Sequence, residues 1–225
     1  MKNILISGGL GFIGSNLANY LKKKNFKIFI IDNLSSNKVN KLNKDIIIIK
    51  KNIIDIGSIK KIKNKIDCII HLAASAEIMI KVEDEKKYFD DNVLGLQEVM
   101  NFAATNKVKK FIFASSSSIY SETKKKKIKE DSLLNPKHYY AYTKYLGEVM
   151  LSRYFKINKI NYTIVRLFNI FGPKSNAVIG KFLAQKIQKK KLTIFGNGNQ
   201  KRDFLYIDDL NRAILSILKK KISKN

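Results

Sequence analysis

An apolar segment, Lys2 to Ser7, runs directly into Gly8-Gly9-Leu10-Gly11-Phe12-Ile13-Gly14, and a helical pattern of apolar residues, Phe12, Ile13, Leu17 and Leu21, starts inside that glycine group. Strand, glycine turn and helix in immediate succession leave few folds open. Gly8 allows the tight turn, Gly11 lets the backbone approach a pyrophosphate, and Gly14 permits close packing of helix on sheet. The helix N-terminus then presents free N–H groups to phosphate oxygens. The spacing is G-x-x-G-x-x-G rather than G-x-G-x-x-G. Asp32 closes the next predicted strand, where a carboxylate accepts ribose hydroxyls and repels a 2′-phosphate, which favours NAD over NADP.

Strand and helix patterns alternate along the rest of the chain. Strands are expected at Lys2 to Ser7, Phe26 to Ile31, Ile46 to Ile49, Ile66 to His71, Lys110 to Ser115 and Tyr162 to Phe168; helices at Gly11 to Lys24, Glu85 to Asn106 and Tyr140 to Phe155. Runs such as Ile46-Ile47-Ile48-Ile49 predict strands buried on both faces. The fold class that follows is α/β, a Rossmann-like, doubly wound parallel sheet.

Composition decides the setting. With 45% hydrophobic and 28% charged residues in 225, the chain reads as soluble and globular. No apolar stretch approaches the ~20 residues of a membrane span, and the N-terminus enters a strand at once, so no signal peptide or membrane partner is expected and the localisation expected is cytoplasmic. The formal charge of +26 resembles a nucleic-acid signal, yet only Arg153, Arg166, Arg202 and Arg212 among 44 basic residues carry the guanidinium fork that phosphate and base readers favour. The lysines are spread evenly and accompany many isoleucines and asparagines, a pattern of coding bias. The runs Lys124 to Lys127 and Lys189 to Lys191 read as solvated charge. No specific nucleic-acid partner is expected, only salt-sensitive attraction to polyanions. Cys68, the single cysteine, sits in an apolar strand and reads as buried.

Tyr140 and Lys144 stand four apart on one helix face. A phenol titrates near pH ~10, and a neighbouring ammonium that favours the phenolate would make it a proton acceptor nearer neutrality. With only His71 and His138 in the chain and no clustered cysteines, no metal site is expected. His71 reads as packed and hydrogen-bonded, His138 as a loop residue and Tyr142 as a helix-face aromatic.

The ordered set Gly8 to Gly14, Asp32-Asn33-Leu34-Ser35, His71-Leu72-Ala73-Ala74, the serines before Ile119-Tyr120 and Tyr140-x-x-x-Lys144 resembles the extended short-chain dehydrogenase/reductase superfamily. Arg166 to Pro173 and Arg202 to Asp209 resemble its nucleotide-sugar-modifying branch, closest to UDP-glucose 4-epimerase-like enzymes. The resemblance implies NAD as cofactor. Gly8, Gly11, Phe12, Ile13 and Gly14 would hold its pyrophosphate, Asp32 and Asn33 its adenosine ribose, and Leu72, Ala73, Ala74 and Phe168 would line it. Asn92 would stand behind them. Asn52-Ile53 takes the place of an acidic-aliphatic pair near the adenine. Ser116, Tyr140 and Lys144 would be catalytic, with Tyr140 and Lys144 also touching the cofactor. Ser116, Asn169 and Arg202 would bind substrate; Arg202 has a second reading, an ion pair with Asp203 or Asp208.

The implied reaction is 4-epimerisation of a UDP-hexose or UDP-N-acetylhexosamine through a transient 4-keto sugar. A 4,6-dehydratase of this branch would carry an Asp-Glu pair where Ser117-Ser118 stand. The expected organisation is 1–170 as an NAD-binding domain with the catalytic residues and 171–225 as a partial substrate-binding region whose helix, Leu210 to Lys220, returns to the first domain. The resemblance implies a further strand and a cap beyond that helix. Alternatives are therefore a catalytically impaired NAD-binding protein, or a dehydratase, decarboxylase or reductase acting on a nucleotide sugar. The helices carrying Asn92 and Tyr140 imply a homodimer through a four-helix bundle.

Overall fold

The computed structural model describes residues 2–35, 41–62, 65–78, 80–121, 127–173, 175, 177–194 and 196–220; most of the lysine run at 124–127 falls outside them. The chain divides into two compact units, residues 1–166 and 167–225.

The first unit is built on a six-stranded sheet: β1 (Asn3–Ser7), β2 (Lys27–Asp32), β3 (Ile47–Lys50), β4 (Cys68–His71), β5 (Lys110–Ser116) and β6 (Asn161–Leu167), in spatial order β3-β2-β1-β4-β5-β6. Pairing is parallel, with Ile4 opposite Ile28 on one side and Cys68 on the other. The strand order reverses between β1 and β4, and in such sheets a crevice opens beyond the carboxyl ends of the strands at that point. The α/β doubly wound reading is therefore correct.

Helix α1 (Phe12–Lys22) starts where extended Gly11 caps it and buries Leu17, Ala18 and Leu21. The expected single helix from Glu85 is α2 (Glu85–Phe89), a π-helical turn (Asp90–Leu94) and α3 (Gly95–Thr105) end to end. Helix α4 (Tyr139–Asn158) is capped at its start by His138, whose Nδ1 accepts the Ala141 N–H at 3.3 Å, and at its end by Lys159 in the left-handed region at φ 53°. His138 is thus an N-cap rather than a plain loop residue. The core between sheet and helices joins Leu5, Phe29, Ile69, Phe111 and Phe113 to Leu96, Val99, Leu151 and Phe155. At about 25 cal/mol per Å² of apolar surface, each such side chain contributes roughly 1.5–3 kcal/mol.

One expectation fails at β3. Its isoleucines alternate, with Ile47 and Ile49 half-buried and Ile48 39% exposed, and β3 is the sheet edge with a neighbour on one side only. Lys50 and the exposed Ile48 then face solvent, as edge strands require.

In the second unit β7 (Asn169–Phe171) pairs in parallel with β8 (Phe204–Tyr206), and Phe171 packs 5.4 Å from Tyr206. Helix α5 (Val178–Ile187) follows β7, and α6 (Ile207–Lys219) buries Leu210, Ile214 and Leu218.

Candidate active site

The glycine turn forms because each position excludes a side chain for its own reason. Gly8 has φ +66°, and a Cβ there would meet Ala73 Cα and N at 2.7 Å. A Cβ on Gly14 would lie 2.4 Å from the Gly8 carbonyl oxygen, so α1 could not approach the turn. Among the described residues, a Cβ on Gly11 would meet just the Gly8 oxygen, at 3.5 Å, which leaves this position open outward.

Asp32, at the end of β2, is buried with both oxygens engaged: Oδ2 accepts the Leu10 N–H at 2.9 Å and Oδ1 the Leu34 N–H at 2.8 Å. The second bond turns the chain back with Leu34 at φ 62°. A cleft opens there, lined by Gly8, Gly11, Asp32, Asn33, Asn52, Ile53, Leu72, Ala73 and Ala74 from the sequence-based set. Ile31, Ser35, Ser75 and Asp91 also line it and were missed. Ser75 lies one residue beyond Ala74 and Asp91 one before Asn92, so the strand-end and helix motifs, extended by one residue, would have included them. Ser75 donates to Asp91 at 2.6 Å, and Lys87 binds both, at 2.9 and 2.5 Å. Phe12, Ile13 and Gly14 form the first turn of α1 rather than the cleft wall.

Asn92 explains the π-helical turn. It is buried, accepts the Ser75 N–H at 2.8 Å, and donates to the Ser75 carbonyl and the Thr143 hydroxyl, each at 2.9 Å. One amide therefore fastens the cleft loop to α4, and π turns commonly serve to aim such a residue.

Ser116 ends β5, its Oγ 2.8 Å from that of Ser118, and Tyr140 lies in the first turn of α4. Lys144, one turn along, is buried and donates to the Ala114 carbonyl at 2.9 Å; its ammonium is 5.0 Å from the Phe113 ring and 5.9 Å from that of Tyr140. Here the expected electrostatics are corrected. Burial raises the Tyr140 phenol above its ordinary value, and the contact that lowers it is Ser116, not Lys144. Burial also pulls Lys144 down to about 8. The ammonium carries its own desolvation cost and spends one proton on a carbonyl.

His71 is packed as expected. Its Nδ1 is 2.8 Å from Ser7 Oγ, its ring stacks 5.9 Å from Phe113, and burial holds it neutral, with a pKa of about 3. Cys68 is fully buried, its thiol pushed up to about 12. Tyr142 is an exposed helix-face aromatic. Among the described residues no cluster of metal-ligating side chains occurs, and no helix is long and apolar enough to cross a membrane.

Phe168, Asn169 and Arg202 belong to the second unit. Phe168 joins β6 to β7, the Asn169 amide donates to the Asp203 carbonyl at 3.0 Å, and exposed Arg202 donates to the Lys201 carbonyl at 2.8 Å.

A parallel sheet with this glycine turn, an acidic residue ending β2 and a Ser-Tyr-Lys group defines an extended short-chain dehydrogenase/reductase fold that binds a dinucleotide. More narrowly, residues 4–225 match the NAD dependent epimerase/dehydratase family, to which this chain belongs. It is 35% identical to dTDP-D-glucose 4,6-dehydratase of Dictyostelium discoideum, over 98% of this chain and 56% of that protein. It thus spans little more than half of that relative. Among solved structures it resembles UDP-N-acetylglucosamine 4-epimerase of Methanobrevibacter ruminantium, with 35% identity, a TM-score of 0.88, and coverage of 98% of this chain and 74% of that one. It is similarly related to the UDP-glucuronic acid 4-epimerase of Bacillus cereus solved with UDP-glucuronic acid and NAD, at 31% identity, TM-score 0.88, and 98% and 74% coverage. The cofactor is NAD. The Gly8 and Gly14 contacts, the open backbone of Gly11 and the Asp32 carboxylate fit it.

Proposed function

We propose that the chain is a nucleotide-sugar 4-epimerase, acting on a UDP-hexose or UDP-N-acetylhexosamine. The observation that carries this is the make-up of the catalytic loop, where Ser117 and Ser118, not an Asp-Glu pair, follow Ser116. Elimination of water across C5 and C6 needs an acid and a base at those carbons; moving hydrogen to and from C4 needs only one proton shuttle and a donor to the oxygen. This favours epimerisation over the dehydration performed by the Dictyostelium relative.

The residues divide the work. Gly8, Gly11 and the first turn of α1 (Phe12, Ile13, Gly14) hold the pyrophosphate of NAD, Asp32 and Asn33 its ribose, and Asn52 and Ile53 the adenine side. Bound NAD supplies the acceptor, and later the donor, for the hydrogen on the sugar carbon. Tyr140 takes the proton of the C4 hydroxyl and returns it to the same oxygen once the 4-keto sugar has turned its other face. Ser116 donates to that oxygen throughout. Lys144, fixed by the Ala114 carbonyl, presents its remaining protons to the nicotinamide ribose. Asn169 and Arg202 bind the diphosphate and nucleotide, Arg202 as a two-pronged donor. Two copies pair through exposed Leu94 of the π turn and exposed Tyr142, Leu146 and Val149 of α4.

The test is product analysis with UDP-glucose, UDP-galactose and their N-acetyl forms. Interconversion at C4 supports the reading. A 4-keto-6-deoxy product, or no turnover of any of the four, overturns it.

A further inference from the structure

We propose that Lys87 is a positioning residue of the cofactor cleft, which holds Asp91 in place and cancels its charge so that it does not repel the pyrophosphate of NAD. The inference rests on the cleft holding the dinucleotide, not on which sugar is turned over.

The charges on the cleft wall motivate it. Among the described residues that line the cleft stand two carboxylates, Asp32 and Asp91, and no lysine or arginine. The pyrophosphate brings two further negative charges, and like charges sharing a groove repel. Asp32 meets this with backbone, since each of its oxygens accepts an N–H, from Leu10 and from Leu34. Asp91 is served by side chains instead. Its Oδ2 accepts the Ser75 hydroxyl at 2.6 Å and the Lys87 ammonium at 2.5 Å, and its Oδ1 has no partner among the described residues. The same ammonium donates to Ser75 Oγ at 2.9 Å, so lysine, serine and carboxylate close a triangle. Ser75 is itself anchored, because Asn92 accepts its N–H and donates to its carbonyl. The triangle thus fixes the carboxylate at the cleft wall and sets one positive charge against its negative one.

The competing explanation is an ordinary surface ion pair, and the adjacent pair separates the two. Lys86 and Asp90 have the same i, i+4 spacing, at 2.7 Å, one residue back. Asp90 does not line the cleft, and no third side chain among the described residues joins that pair. Exposed pairs of this kind contribute little to stability. Lys87 differs in what its partner faces.

The experiment is calorimetric titration of the full chain with NAD at two salt concentrations. In ~10 mM salt, where charges act over about 30 Å, Lys87→Met is expected to weaken NAD binding about fivefold. In ~1 M salt, where that range falls to about 3 Å, the loss shrinks below about twofold. Lys86→Met removes the same charge one residue away and stays within about twofold of wild type at both concentrations. Lys87→Arg keeps the charge and binds as wild type does. Adding Asp91→Asn to Lys87→Met restores wild-type affinity, because no charge is left to cancel. Wild-type affinity of Lys87→Met at low salt overturns the proposal, as does an equal loss in Lys86→Met or a double variant as weak as Lys87→Met. A loss in Lys87→Met that persists undiminished at high salt marks a packing defect and overturns it too. A chain that follows the expected pattern yet converts no nucleotide sugar keeps the role of Lys87 and loses the epimerase reading.

Discussion

Arg166 grips Glu148 through two nitrogens, Nε 3.0 Å from one carboxylate oxygen and Nη2 2.8 Å from the other. Its third nitrogen donates to the Tyr120 hydroxyl at 2.9 Å and the Glu130 carbonyl at 2.7 Å. Glu148 lies one helical turn after Lys144, and Tyr120 four residues after Ser116. A single guanidinium on β6 therefore ties the loop leaving Ser116 to the helix bearing Tyr140 and Lys144. Arg166→Lys keeps the charge but not the fork, and should cost about 1–3 kcal/mol in urea unfolding. Glu148→Gln should weaken the same grip. A wild-type midpoint for Arg166→Lys would show that the fork does not hold these elements.

His71 makes the folded state sensitive to acid. Burial depresses its folded pKa to about 3, whereas the unfolded imidazole titrates near ~6.5. Between those values the unfolded chain binds the extra proton, so stability is complete above pH ~6.5 and is lost as pH falls toward 3, with a slope of up to ~1.4 kcal/mol per unit from this group. His71→Gln should remove that slope in unfolding curves between pH 4 and 7, while His138→Gln should keep most of it. A slope retained in His71→Gln would place the acid sensitivity elsewhere.

The glycine turn separates space from sequence pattern. Gly14→Ala puts a methyl 2.4 Å from the Gly8 oxygen and should weaken NAD binding at least tenfold by calorimetry, because the turn must shift. Gly57→Ala, where an added methyl meets nothing among the described residues within 4 Å, should bind NAD as wild type does.

Asp32 has two tasks in one carboxylate. Asp32→Ala orphans the Leu10 and Leu34 N–H groups and should cost about 1–3 kcal/mol of stability. It should also narrow the preference for NAD over NADP in the same binding assay. Unchanged preference would mean that discrimination arises from another residue.

The sheet, the glycine turn, Asp32 and the Tyr140-Lys144 pair were legible because each is local: a strand period, a turn that only glycine fits, a helical i, i+4 spacing. What sequence hid was set by distance along the chain. Four isoleucines in a row do not reveal that β3 has a neighbour on one side only. Glu148 and Arg166 are 18 residues apart and meet only when β6 joins the sheet beside α4. The carbonyl that claims Lys144 lies 30 residues away, so the ammonium read from spacing as the tuner of Tyr140 is held by β5 instead. The π turn around Asn92 leaves no pattern, because it arises from bonds to Ser75 and Thr143 on two other segments.

The proton shuttle of Tyr140 is the centre of the account. Its most direct measurement is C4 interconversion of UDP-hexoses and UDP-N-acetylhexosamines by wild type and Tyr140→Phe, with NAD affinity measured on both. Turnover in wild type and a fall of at least ~100-fold in kcat for Tyr140→Phe, with NAD binding affected far less than kcat, are predicted, in line with the loss of a general acid–base group. Equal turnover by the two proteins would contradict it.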